Sequence, residues 1–142
     1  MIRRISIAAL AYLVPTFALA FVWHLIAFKS YYDELAIYRK DVIVPFGFFA
    51  ISIQALLFAW IYSGIFGSWS STRARALGYA AFGAVLSWSF TTISVAAKNM
   101  MSSVPSFLLI ESAFTLAQWL IVGPLTAVLI RHMPPLPQAE RL

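Results

Sequence analysis

Glu111 stands seven residues past Val104 in an apolar run, with Leu109, Ile110 and Phe114 close by. A carboxylate at the centre of a membrane helix costs about 3 kcal/mol even on insertion scales, so it needs a partner or a task. The task would be to hold a proton or a cation; the partner would make it a structural pair. At about 3.6 residues per turn, Glu111, Thr115 and Gln118 share one face of their helix. Ser87, Thr91, Ser94 and Lys98 share one face of the helix before it by the same spacing. The six-residue turn 99–104 makes those helices antiparallel neighbours. The two polar stripes are therefore expected to face each other, since a neutral polar group left in lipid costs about 1–3 kcal/mol.

Depth adds to this grouping. Glu111 lies roughly 9 Å inside the boundary marked by Pro105, level with Thr91 and Ser94. Lys98 begins nearer the boundary, with a stem that can bend toward the acid or extend to water. His24 arrives from an earlier segment at similar depth. The candidate polar pocket is thus Glu111, Lys98, Thr91, Ser94, His24, Thr115 and Gln118.

Much other chemistry is excluded. Cysteine is absent, which removes thiolate catalysis, disulfide exchange and cysteine-based metal sites. The two histidines, His24 and His132, would lie about a bilayer apart, too far to share one haem within a chain. No nucleophile and base stand at a convincing spacing. No catalytic residue, metal ligand or cofactor is expected. The net charge of +5 comes from basic residues scattered over short flanks, a pattern that does not bind nucleic acid.

The elements that position these residues follow from composition. Of 142 residues, 62% are hydrophobic and 11% charged, against about a quarter charged in a soluble domain. An all-α integral membrane protein is predicted, since about 20 apolar residues cross a bilayer core. Four stretches are long enough: 5–28, 42–66, 76–97 and 104–130. They form an up-down bundle that fills the chain as a single domain, 1–142. Arg3-Arg4 followed by Ala18-Leu19-Ala20 also fits a cleaved signal peptide, but the apolar run continues through FVWHLIAF, so an uncleaved helix is expected.

Arg3, Arg4, Arg73, Arg75, Arg131 and Arg141 would lie on one side, and Lys29, Arg39, Lys40 and Lys98 on the other. The first set marks a cytoplasmic side, giving cytoplasmic N- and C-termini in a bacterial inner membrane. Between the first two spans, Ser30 and Asp33 fit a capping box, and residues 31–38 read as a short interfacial helix carrying Tyr31, Tyr32 and Tyr38. Small residues at a spacing of four, Ala55, Ala59, Ser63 and Gly67 in the second span and Ala76, Ala80 and Ala84 in the third, mark close-packed faces. Pro15 and Pro124 each remove a backbone donor inside a span.

The segments HLIAF, YYDEL, IYRKD and PFGF within residues 24–54, with AAKNMMSSV and IESAF later, resemble a family of small four-span bacterial inner-membrane proteins. The resemblance implies the four-span fold and no particular activity. Three functions fit the sequence: an accessory or assembly subunit in a larger membrane complex, an oligomeric transporter or ligand-binding protein using Glu111, and an enzyme acting on a lipid or quinone. A chain that is nearly all bundle favours the first. The lipid bilayer is the expected partner, with a larger complex or a homodimer beyond it.

Overall fold

The computed structural model describes residues 2–134. Arg141, assigned above to the cytoplasmic side, lies outside them. The described residues form α1 (Ile2–Val22), α2 (Lys29–Leu35), α3 (Val44–Gly64), α4 (Thr72–Ser87), α5 (Ser94–Lys98) and α6 (Val104–Leu129). A π-helical turn, Trp23–Ala27, extends α1, and another, Trp88–Ile93, joins α4 to α5. The protein is an all-α bundle with four helices long and apolar enough to span a membrane: Ile2–Ala27, Val44–Ser68, Thr72–Lys98 and Val104–Leu129.

Helix ends match local chemistry. Ser71 and Ser103 accept hydrogen bonds from the backbone N–H groups of Ala74 and Ser106, capping α4 and α6. Proline in the first turn of α3 and α6 removes donors that have no partner there anyway. The capping box expected at Ser30 does not form. The helix begins at Lys29, so Ser30 is already inside it, and Asp33 instead takes the Lys29 ammonium at 2.5 Å. The cause is that the π turn runs almost directly into α2, with Tyr32 N–H bonded to the Phe28 carbonyl.

Helix order in space differs from order in sequence. α1 and α6 pack side by side at the centre, α3 rests on α1, and α4 rests on α6. The Ala55, Ala59, Ser63 and Gly67 face is buried. On the other flank, Gly83 lies against the Trp119 ring and Gly123 against Ala76 and Ala80. Lipid tails are as apolar as these side chains, so close approach rather than expulsion from water holds such helices together.

α3 and α4 meet at the end of the bundle that carries the N-terminus. Tyr62 and Phe66 pack there on Tyr79, with ring centroids 4.9 and 5.7 Å apart. Tyr12, Phe58 and Trp119 extend the cluster inward, and each such aromatic contact adds about 0.5–1.5 kcal/mol beyond area buried. Arg4 closes this end. It is buried, and its guanidinium donates to the carbonyls of Met133 at 3.1 Å and Pro134 at 2.5 Å, just past the C-terminus of α6. A cation there also opposes the negative end of the helix dipole.

Gly83→Ala is expected to lower stability by about 1–3 kcal/mol, because the new methyl falls where the Trp119 ring sits. Gly47→Ala, with open space around the position, should be neutral or gain about 0.5–1 kcal/mol. Thermal unfolding in detergent, followed by tryptophan fluorescence, separates the two; equal melting temperatures would refute the packing argument.

Candidate functional site

Glu111 points its carboxylate at α1 and at the segment after it. Oε1 accepts a hydrogen bond from the Tyr32 hydroxyl at 2.7 Å, lies 3.2 Å from His24 Nε2, and has the Tyr38 hydroxyl at 3.5 Å. The residue is only 5% exposed, so these contacts stand in for water around a charge.

Each donor is placed by local backbone geometry. His24 sits in the π turn, a distortion that recurs at functional sites, and its Nδ1 is 2.9 Å from the Ala20 carbonyl. Tyr32 is carried by α2, which is seated on the 99–103 turn: Ser102 N–H bonds the Leu35 carbonyl and Ser102 Oγ the Glu34 carbonyl. Tyr32, Leu35 and Phe107 form a small buried cluster beneath it. Ala36 then ends α2 in the left-handed region, φ 56°, which costs a non-glycine residue about 1–2 kcal/mol. That reversal brings Tyr38 back over the site, where it stacks on Tyr32 with centroids 4.9 Å apart.

The hydrogen-bond geometry is consistent with a pair that shares one proton. A carbonyl oxygen only accepts, so His24 Nδ1 carries a hydrogen toward Ala20. Nε2 and Oε1 then face each other at 3.2 Å, and two lone pairs there would repel. One proton between them, as imidazolium with carboxylate or imidazole with carboxylic acid, satisfies both atoms and leaves the pair neutral. Oε2 has no protein donor among the described residues and is not sealed from access.

Glu111 and His24 line a cavity of about 640 Å³. Its floor is the central pair, α1 with Tyr12, Thr16 and Ala20 and α6 with Phe107, Phe114 and Gln118. Its sides are α3, through Gln54, Leu57 and Phe58, and the third span, through Ser87, Phe90 and Thr91. The cavity lies between α3 and the third span, and Leu57 from the one and Phe90 from the other are exposed at its edge. A chain of polar side chains crosses the floor: Tyr12 donates to Gln54 Oε1 at 3.0 Å, and Gln118 Nε2 donates to Tyr12 and to Thr16 Oγ1 at 3.3 and 3.1 Å. A smaller cavity of about 220 Å³ between α1 and α3 shares Ala20, His24, Tyr38 and Ile51 with it.

Of the expected pocket, His24, Thr91, Gln118 and Glu111 come together on one cavity. Ser94, Lys98 and Thr115 do not line it. The π turn Trp88–Ile93 explains the first two. Its hydrogen bonds close over five residues instead of four, which rotates everything after it by about 100° relative to a regular helix. Ser87 and Thr91 stay on the cavity wall, and Lys98 is exposed with no ion pair to Glu111. Thr115 is buried within the bundle. The two polar stripes therefore do not pair as expected: α6 turns Glu111 and Gln118 toward α1, and its contacts to the third span run instead from Trp119 to Ser87 and from Trp88 to Ser112. Tyr32 and Tyr38 were missed because tyrosines near a span boundary read first as headgroup anchors. The sequence signal available was their nearness to His24, a short loop away from the same acid.

No cluster of three or more metal-binding side chains occurs among the described residues. The chain matches no family model, no curated protein and no solved structure.

Burial, and after it the negative charge of Glu111, holds the Tyr32 and Tyr38 hydroxyls well above the usual phenol range. The unfolded chain loses those protons first, near pH 10, so their contribution to stability is present below about pH 10 and falls as pH rises above it. The Tyr32→Phe, Tyr38→Phe double variant should show a shallower alkaline loss than the parent, checked by unfolding between pH 9 and about 11. At neutral pH, Tyr32→Phe alone should cost about 1.5–3 kcal/mol, the worth of a hydrogen bond to a charged group, whereas Lys98→Met should cost almost nothing. Equal effects of these last two changes would contradict the assignment of Glu111's partners.

Proposed function

We propose that this protein binds an amphipathic small molecule that enters from the bilayer between α3 and the third span. The observation that carries this reading is the cavity itself: about 640 Å³, apolar along its walls, with a polar floor and a neutral acid–histidine pair at one end. Pockets for small ligands commonly fall between about 300 and 1,000 Å³ and combine apolar walls with few, well-placed polar groups. π turns on both sides of the cavity, contributing His24 from one and Phe90 and Thr91 from the other, support the same reading. Movement of the ligand across the membrane would be transport by two copies together, because four helices leave little room for alternating access.

We also infer a bacterial inner membrane with the N-terminus cytoplasmic, supported by Arg3, Arg73, Arg75 and Arg131 at one end of the bundle. The acid–histidine pair then lies in the outer half. An accessory subunit in a larger complex is the second reading, supported by the wide apolar surface of α3, where Phe46, Phe49 and Leu56 are exposed.

The test is binding of an environment-sensitive amphipathic dye such as Nile red to the purified protein. Saturable binding at one dye per chain is expected, weakened in Thr91→Trp, whose indole takes up part of the cavity, while helix content is unchanged. Equal, non-saturating uptake by both proteins would refute the reading.

A further inference from the structure

We infer that the ligand is a lipophilic monocation that exchanges for the single proton held between Glu111 and His24. The inference rests on the binding role proposed above and adds the charge class of the ligand and the ion released. Its basis is the inventory of charge around the cavity. No lysine or arginine among the described residues lines it. The titratable groups facing Glu111 are His24 from α1 and Tyr32 and Tyr38 from the segment that follows it, with Tyr12 deeper on the floor. α3 and the third span present only uncharged polar groups, Gln54, Ser87, Thr91 and Asn99.

An anion would find as its one cationic partner His24, which is already paired to the Glu111 carboxylate. A cation finds a carboxylate whose Oε2 has no donor among the described residues, and aromatic rings on several sides: Phe58 from α3, Phe90 from the third span, Phe107 and Phe114 from α6. Ring faces attract cations, more strongly where water is excluded.

The proton count supplies the exchange. The empty pair is neutral, one carboxyl and one imidazole sharing one proton beyond the hydrogen fixed on Nδ1. A bound cation takes over the role of balancing the carboxylate, so the shared proton leaves and His24 becomes neutral. One positive charge enters and one departs; the buried site stays neutral throughout, which avoids the cost of an uncompensated charge away from water. A neutral ligand displaces nothing.

The experiment is calorimetric titration of the purified protein with tetraphenylphosphonium, its anionic counterpart tetraphenylborate, and neutral triphenylphosphine oxide. Repeating it in buffers of different ionisation enthalpy counts the protons released. The expected result is one tetraphenylphosphonium bound per chain, one proton released, affinity rising about tenfold per pH unit, and no binding of tetraphenylborate. Glu111→Gln, which keeps the size of the side chain but holds no exchangeable proton, should abolish the release. Tetraphenylphosphonium binding without proton release, or no tighter than the phosphine oxide, would overturn the exchange and leave the cavity's binding role standing. Failure of all three compounds to bind would overturn both.

Discussion

Oε1 of Glu111 is where three separated parts of the chain converge: α6 supplies the acid, α1 the imidazole, and the 29–38 segment two phenols. Other polar bonds hold these parts in pairs, Ser102 to α2 and Gln118 to α1, and at Oε1 all three meet. The π turn sets His24 opposite the acid, α2 is seated so that Tyr32 can donate, and Ala36 takes an unfavourable backbone conformation that returns Tyr38 to the same point. A buried carboxylate can demand this much because leaving it without donors in a low-dielectric interior costs far more than one strained residue.

The same contact holds the loop end of the central helix pair, where α2 and Tyr38 are tied to α6. The outer helices interlock at the other end, where Tyr62, Phe66, Tyr79 and Trp119 pack together. One end of the bundle is joined by polar bonds between its central helices and the other by aromatic packing across all four spans.

The architecture was readable because it depends on composition averaged over long segments: four apolar runs, small residues at a spacing of four, and prolines at helix starts all fell where the structure has them. The site was readable only in part. Glu111 announced itself by being a carboxylate among Leu109, Ile110 and Phe114, and His24 by depth. The failures at Ser94 and Lys98 share one cause: an angle drawn along a regular helix does not survive a π turn, and nothing in TTISVAAK marks where the extra residue is inserted. Ser30 failed for a related reason, since a capping motif is a cap only if the preceding chain is not already helical. Rotation about a helix axis is a property of every residue before the one in question, and local spacing carries no memory of it.

Arg4 has a consequence in time as well as in space. Its guanidinium is buried against the carbonyls of Met133 and Pro134, which the ribosome adds about 130 residues after it. Synthesis runs at about 5–20 residues per second, so this arginine waits on the order of ten seconds for its partners. During that interval its guanidinium is left to water and headgroups, since the carbonyls that receive it have not yet been made.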